Sequence, residues 1–247
     1  MDTRKLPKYI SDWIFNYTNN MPKKAKALVV GISGGIDSSV TSTLCAMTGL
    51  KTIVLSMPIN QIKVQQDLSL KHLNWLTSKF NNAEGHLINL DSLFQSFKKS
   101  SSIFNNEYGL ANSKARLRMT TLYQAAAAND GIVVGTGNKI EDFGVGFYTK
   151  YGDGGVDISP IADCTKTQVW ELGKELGILE SIISAAPTDG LWDDNRDDEK
   201  QMGLTYKQIE EAMKDSKSKY YKKYLSLREK NIHKMKPIPV CKFKENE

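Results

Sequence analysis

The sequence predicts an α/β fold, in which a doubly wound, mostly parallel sheet carries helices on both faces. Four short runs are apolar, rich in β-branched residues and nearly free of polar residues, and segments with helical spacing lie between them. Such runs are typical of strands that are covered on both faces. Because strand and helix alternate, we expect the strands to be parallel. The four predicted strands are residues 26–32, 51–57, 85–90 and 131–135.

The predicted helices lie between and after these strands. In one of them, Leu68, Leu73 and Leu76 recur at helical spacing, which indicates a single buried face. Gly177 predicts the end of another. We predict helices over residues 38–47, 65–80, 92–99, 113–129 and 167–176, followed by two C-terminal helices that start near Thr205 and Lys219.

Length and composition are those of an ordinary soluble protein, with 247 residues, 40% of them apolar and 25% charged. We expect one domain over residues 1–247, with a helical C-terminal portion from about residue 205. No apolar run approaches the ~18 residues that cross a bilayer, and the N-terminus lacks the apolar segment of a signal peptide. We therefore expect a cytoplasmic protein without a membrane partner. Cys45, Cys164 and Cys241 have no CxxC spacing, so neither disulfides nor zinc are expected.

The net charge of +5 is unevenly distributed along the chain. Residues 214–244 contain eleven Lys or Arg against Asp215 and Glu229. A basic segment of this kind binds nucleic acid, binds an anionic substrate or forms a solvated helix face. Composition alone favours the solvated face.

The sequence GISGGIDS lies between the first predicted strand and the following helix. Ligands of open parallel sheets bind beyond the carboxyl ends of the strands. Adjacent glycines let backbone N–H groups surround an anion, and Ser33 and Ser38 can add hydroxyl donors. We predict a phosphate-binding loop formed by Gly31, Ile32, Ser33, Gly34, Gly35, Ile36, Asp37 and Ser38.

This loop differs from the common phosphate-binding motifs. Ile36 and Asp37 stand where GxxxxGK[ST] has Gly and Lys, and no GxGxxG follows Gly31. An aspartate repels polyphosphate unless a divalent cation lies between them, which makes Asp37 a candidate Mg²⁺ ligand. Aspartate is also a favoured helix N-cap. The loop alone does not decide between these two roles.

The pattern SGGxDS resembles the loop of the N-type ATP pyrophosphatases, Rossmann-like enzymes that cleave ATP to AMP and pyrophosphate while forming an adenylate. Four later blocks are similar, in order and spacing, to the ammonia-dependent, single-domain NAD synthetases. This resemblance implies amidation of deamido-NAD⁺ with ammonia, using ATP and Mg²⁺, to give NAD⁺, AMP and pyrophosphate. The four blocks are ARLRM at 115–119, GTGNKIE at 135–141, TKYGDGGVDISP at 149–160 and HK at 233–234, and the shorter segments Thr165-Lys166 and Ala186-Pro187-Thr188 match as well.

The resemblance assigns ATP and metal roles to matched positions. It implies that Asp37 and Glu141 bind Mg²⁺, and that Thr136, Lys166 and Thr188 contact ATP together with the loop. Taken alone, Glu141 would be a solvated loop residue and Thr136 a turn residue. Lys166 lies at a predicted helix start, where the helix dipole disfavours a cation, and this favours a phosphate partner.

The resemblance also implies a deamido-NAD⁺ site that a homodimer interface completes. The matched positions are Arg116, Lys150, Asp157, His233 and Lys234. Arginine and lysine suit the dinucleotide pyrophosphate and the nicotinate carboxylate. Without the resemblance, Arg116 would be a helix-surface residue and His233 a solvated residue of the basic tail.

Two residues are predicted to be catalytic. Lys166 would neutralise the growing charge on pyrophosphate, and Asp153 would orient ammonia or accept its proton. Because water would hydrolyse an adenylate, residues 144–155 and 189–201 are candidate lids.

Two other functions remain open from the sequence. A tRNA-modifying ATP pyrophosphatase would use the basic tail to bind phosphates, but the chain lacks a CxxC motif for sulfur chemistry and we expect no nucleic-acid partner. A nucleotide-binding sensor without turnover would not require both Asp37 and Glu141.

Overall fold

A computed structural model describes residues 3–187, 190–192 and 197–243. Its sheet has four parallel strands in the order β3-β2-β1-β4, with β1 pairing to β2 and β4. The predicted parallel α/β fold is therefore confirmed. The strands are β1 Ala27–Ile32, β2 Lys51–Ser56, β3 Ala83–Leu87 and β4 Ile132–Val133.

Three helices were not predicted from the sequence: Leu6–Asn20, Glu180–Ile183 and Asp198–Met202. The helix Glu107–Ala128 begins six residues earlier than predicted, because the Asn106 side chain caps it by accepting from the Gly109 N–H. The helices are α1 Leu6–Asn20, α2 Ile36–Met47, α3 Lys63–Lys79, α4 Asp91–Ser100, α5 Glu107–Ala128, α6 Lys166–Glu175, α7 Glu180–Ile183, α8 Asp198–Met202, α9 Tyr206–Lys214 and α10 Tyr221–Met235.

Alternate residues of β1 enter two different cores. Leu28 and Val30 pack in one core with residues of α2 and α6, whereas Val29 packs in the other with Met119 and Leu122 of α5. Full burial of one such side chain contributes about 1.5–3 kcal/mol. The two cores pack helices against both faces of the sheet. The carboxyl ends of the strands lie at an edge of the sheet that these helices leave open.

The chain after β4 contains a π-helix, Lys139–Val145, in a segment for which no helix was predicted. The Asn138 side chain caps its first turn. At its other end, carbonyl groups accept from α10: Arg228 Nη1 donates to Phe143 O and Gly144 O, and Asn231 Nδ2 to Val145 O. These tertiary contacts account for a helix that local sequence does not predict.

The C-terminal helices pack on the π-helix in a third core around Ile140, Tyr206, Ile209 and Tyr224. This core packs α9 and α10 against the π-helix, which follows β4 in the chain. No helix among the described residues is both long enough and apolar enough to cross a bilayer.

Candidate active site

The loop after β1 has a backbone that requires glycine. Gly34 has φ +92°, and a Cβ there would lie 2.8 Å from both Gln65 O and Ser69 N of α3. Other residues rarely adopt this φ, and the backbone atoms of α3 leave no space for a side chain. Gly34 therefore fixes the loop against α3.

Hydroxyl groups hold the two ends of the loop together. The oxygens of Ser33 and Ser38 lie 3.1 Å apart, and the Gly35 N–H donates to Ser33 Oγ at 3.2 Å. Gly35 is the N-cap residue of α2 and provides no side-chain cap. The helix N-terminus thus opens onto the loop, as in an anion-binding site.

Asp37 is the second residue of α2, so the structure excludes the N-cap interpretation. Its Oδ1 accepts from Asn138 Nδ2 at 3.0 Å, and its Oδ2 accepts from Lys166 Nζ at 2.5 Å. The side chain is 17% exposed. Asp37 therefore connects the loop to two segments that lie far along the chain.

Asn138 is fully buried and orients the next acidic residue. Its Oδ1 accepts from the N–H groups of Ile140 and Glu141, at 2.9 and 3.0 Å. The same side chain donates to Asp37, so it fixes the position of Glu141 relative to Asp37.

Lys166 is the first residue of α6, as predicted, and its side chain is only 3% exposed. Thr165 and Gln168 form a capping box around this helix start. The ammonium donates to Asp37, and to Glu141 Oε1 at 3.0 Å. The two carboxylates offset both burial and the unfavourable helix dipole.

This ion group keeps its charges despite burial. Burial alone would lower the pKa of Lys166, but Asp37 and Glu141 outweigh it and raise that pKa. Burial opposes ionisation of Glu141 too, yet Lys166 and a hydrogen bond from Tyr206 leave its pKa below the ordinary value. Burial raises the pKa of Asp37, and Lys166 opposes this rise. Because two carboxylates share one ammonium, the group has a net negative charge and would attract a further cation.

A cleft of about 270 Å³ lies above the loop at this edge of the sheet. The loop residues 31–38, Thr136, Glu141 and Lys166 line it, together with apolar side chains that include Met57 and Leu122. An apolar wall beside polar groups is typical of a nucleotide site.

A second acidic pair lines the same cleft. Asp153 lies in the wall of the cleft and accepts from the Thr149 N–H at 3.0 Å, and desolvation there raises its pKa to about 6. Asp142 has a pKa well above the ordinary value because of burial and the charge of Asp153. The half-buried Lys234 approaches this pair and donates to Tyr148 O at 2.7 Å.

The remaining predicted positions lie at the edge of the cleft or outside it. Arg116 is exposed and donates to Lys150 O at 3.2 Å, and His233 is exposed. Lys150 Nζ lies 5.4 Å from the centre of the Tyr151 ring. Asp157 accepts from Tyr123 OH and from the Val133 N–H, which joins α5 to β4.

Thr188 and residues 189 and 193–196 of the second predicted lid fall outside the described residues.

Four side chains around the cleft were not predicted from the sequence. These are Arg118, Asn138, Asp142 and Tyr206. Arg118 follows Arg116 by two positions, and Asp142 follows Glu141 directly. Which of these neighbours faces the cleft depends on the geometry of the helix that carries them. Tyr206 carried no local signal at all, because it reaches the site only through packing of α9.

The chain is similar to proteins of known family. The sequence profile of the NAD synthase family matches residues 6–245. The NH₃-dependent NAD⁺ synthetase of Carboxydothermus hydrogenoformans is 40% identical over 204 residues, or 80% of this chain and 81% of that protein. The NMN synthetase of Francisella tularensis has a TM-score of 0.90 at 32% identity, covering 98% of this chain and 100% of that one. The NH₃-dependent NAD synthetase of Campylobacter jejuni has a TM-score of 0.78 at 28% identity, with the same coverage. The chain belongs to the NAD synthase family.

Proposed function

We propose that the chain is a C–N ligase that amidates deamido-NAD⁺ with ammonia at the expense of ATP. One observation carries the proposal: the glycine loop, Glu141 and Lys166 converge on a single cleft at the carboxyl end of β1. Membership of the NAD synthase family supports the same reaction. In this proposal the whole chain acts as one domain.

ATP would lie along the loop in the cleft. The N–H groups at the start of α2 and the hydroxyls of Ser33 and Ser38 suit its phosphates. Thr136 lines the same cleft, and Met57 and Leu122 offer an apolar surface for the base. Lys166 is placed to turn from its carboxylates to a phosphate group. Thr188 is included on the basis of the family resemblance alone.

The donor set fits a magnesium ion that arrives with ATP. Asp37 and Glu141 present carboxylate oxygens to one shared position, and oxygen is the ligand that Mg²⁺ prefers. Among the described residues, no three Asp, Glu, His or Cys side chains are grouped to hold a metal by themselves. Phosphate oxygens would therefore complete the ligand set. A bound Mg²⁺ supplies charge neutralisation on the transferring phosphates.

The chain's own residues then account for both chemical steps. The substrate carboxylate attacks the α-phosphorus of ATP, an O–P bond forms, and pyrophosphate leaves with its charge held by the loop N–H groups and Lys166. Ammonia next attacks the acyl carbon, and the C–O bond to AMP breaks. Asp153 accepts the proton that ammonia loses, a role that suits a carboxyl with a pKa of about 6. Residues 144–155 and 189–201 exclude water in this proposal.

The substrate would extend from the acidic pair toward α5 and the tail. Lys234 approaches Asp153. Arg116 contacts Lys150 O, and Asp157 contacts Tyr123 of α5. Arg116 and His233 are exposed, so they can contact a substrate that a second protomer helps to enclose.

A homodimer is part of the proposal, and an apolar surface patch supports it. Five exposed apolar side chains lie close together in sequence on α4, on the turn that follows it and on the start of α5. Exposed apolar side chains that form a contiguous patch mark protein interfaces, and we propose that these five form one. They are Leu93, Phe97, Ile103, Phe104 and Tyr108, with exposures of 38–83%.

A cytoplasmic location is also proposed. Cys45, Cys164 and Cys241 are free thiols in the structure, which suits a reducing compartment, and the reaction consumes ATP.

A second candidate substrate is deamido-NMN, the carboxylate from which the same reaction would form NMN. The high TM-score to the Francisella tularensis NMN synthetase over its whole length favours it. The two substrates share the nicotinate carboxylate and the adjacent phosphate. They differ by the second nucleotide half.

One assay tests both candidates. Purified protein with ATP, Mg²⁺ and ammonium is given deamido-NAD⁺ or deamido-NMN, and kcat/KM is compared by chromatography of the products. We expect amide product, AMP and pyrophosphate in equal amounts, with deamido-NAD⁺ preferred. Asp37→Asn serves as the inactive control. Formation of neither amide by the folded protein would contradict the proposed function.

A further inference from the structure

The helix α9 contacts the ion group through Tyr206, and the start of α6 beside it through Glu210, one turn further along. Tyr206 OH donates to Glu141 Oε1 at 2.7 Å. Glu210 accepts from the Thr167 N–H at 3.0 Å and from Thr167 Oγ1 at 3.1 Å. Residues four apart lie on the same helix face. One face of α9 therefore contacts both segments that carry the buried charges.

Two donors fix one oxygen of Glu141. Lys166 Nζ and Tyr206 OH both donate to Oε1, from separate helices. Hydrogen bonds to a charged acceptor are stronger than neutral ones, so loss of either donor frees the carboxylate to rotate. Tyr206 has no exposed surface, and Trp170 packs edge-on against its ring, with the ring centres 5.9 Å apart. The tyrosine itself is therefore rigidly held.

The same tyrosine also contacts the lysine. The Lys166 ammonium lies 4.9 Å from the centre of the Tyr206 ring, within the range of a cation–π contact. Glu210 acts on the residue after Lys166, by satisfying a free N–H in the first turn of α6. The helix α9 thus positions Glu141 through the Tyr206 hydroxyl, and it positions Lys166 through the Tyr206 ring and the Glu210 carboxylate.

We propose that Tyr206 is a positioning residue for metal-bound ATP: its hydroxyl orients Glu141 toward the incoming cation, and its ring holds Lys166 beside the loop. The inference rests on the proposed function, because it assigns the cation and the phosphate to this site. Tyr206 itself contacts neither reacting atom in this role, and Glu210 supports it by holding the start of α6.

The test compares Tyr206→Phe with Tyr224→Phe. Tyr224 belongs to the same buried cluster, and the structure gives its hydroxyl no contact with the ion group. Both variants keep the aromatic ring, so both are expected to fold. Mn²⁺ binding is measured by electron paramagnetic resonance with a non-hydrolysable ATP analogue, and the Mg²⁺ dependence of turnover is measured separately. Thermal unfolding is recorded for each variant.

We expect Tyr206→Phe to weaken Mn²⁺ binding about tenfold, which corresponds to about 1.4 kcal/mol. The Mg²⁺ concentration for half-maximal rate should rise by a similar factor. Tyr224→Phe should change the Mn²⁺ affinity and the Mg²⁺ concentration for half-maximal rate by less than about twofold. Equal Mn²⁺ affinities for the two variants, or a loss that follows only the melting temperature, would overturn the inference.

Glu210→Gln provides a second variant. It retains an acceptor for Thr167 but loses the charge, so we expect a smaller loss of Mn²⁺ affinity than for Tyr206→Phe. A parent protein that binds Mn²⁺ with the ATP analogue but forms neither amide would contradict the proposed function, while the binding comparison still decides the role of Tyr206. A parent that binds no Mn²⁺ with the analogue would contradict both.

Discussion

Lys166 and Asp37 are 129 positions apart in the sequence, and the lysine ammonium donates to the aspartate carboxylate at 2.5 Å. The contact joins the start of α6 to the first turn of α2 across the carboxyl ends of the strands. A side-chain cation therefore lies between the two carboxylates proposed to bind Mg²⁺. Nucleotide binding would redistribute this positive charge.

Replacing this cation should destabilise the protein. Lys166→Met leaves Asp37 and Glu141 with uncompensated charge, and we expect a loss of about 3 kcal/mol in the free energy of unfolding in EDTA. Mg²⁺ should restore part of it. Urea unfolding with and without Mg²⁺ measures both effects. The control is Lys174→Met, an exposed residue of the same helix; equal stability of the two variants would show that the ion group contributes nothing.

Gly34 should tolerate alanine less well than Gly49. Both have positive φ, +92° and +77°, but a Cβ at Gly49 has no atom within 4 Å, whereas one at Gly34 meets the backbone of α3. We expect Gly49→Ala to cost about 1–2 kcal/mol for backbone strain alone. Gly34→Ala should cost more and also weaken ATP binding. Equal unfolding free energies would argue against close contact of the loop with α3.

Asp153 should make both activity and stability depend on pH. Its pKa is about 6 in the folded chain, against an ordinary value of 3.8. Between these pH values the folded protein binds more protons than the unfolded one, so this group lowers stability as pH rises from about 4 to about 6. Asp153→Asn should match the parent in melting temperature below pH 4 and exceed it above pH 6.

Turnover should show the opposite trend. A base with this pKa accepts protons only when ionised, so kcat of the parent should rise as pH increases through about 6. In Asp153→Asn the rise should be lost together with most of the rate. A variant that keeps the rise would place the titrating group elsewhere.

The apolar patch on α4 and α5 should hold two protomers together. Phe104→Glu introduces a charge at a residue that is 78% exposed, so it should separate a dimer without unfolding the protomer. Sedimentation velocity measures the change in mass. Ile238→Glu is the matched control, since Ile238 is 63% exposed and lies outside the patch. An unchanged mass for Phe104→Glu would exclude the patch as the interface.

The sheet was predictable because its signals are local. Apolar runs identified β1, β2 and β4, and Gly35 and Asp37 marked the loop by their neighbours in sequence. The third strand was predicted at residues 85–90, but it is Ala83–Leu87 and is largely unburied, so its apolar run lies partly outside the strand. The site beyond the loop depended on distant contacts. That Lys166 lies between two carboxylates, or that Tyr206 donates to one of them, follows from the packing of α6 and α9, which no local pattern encodes.

The inward-facing residues of the site were harder still. Arg116 was predicted for the substrate, yet Arg118 lines the cleft, because the rotation of α5 is set by its buried face. The π-helix likewise carries two consecutive carboxylates, Glu141 and Asp142, to one cleft. The sequence of this segment does not indicate that both carboxylates line one cleft.

The carbonyl groups at the end of the π-helix depend on Arg228 and Asn231 of α10. During synthesis, a growing chain completes β1 and its loop long before these residues leave the ribosome. The helix that carries Glu141 therefore lacks its C-terminal partners until nearly all of the described chain has emerged. In the proposed function, the Mg²⁺ site that includes Glu141 would therefore be completed only after the sheet.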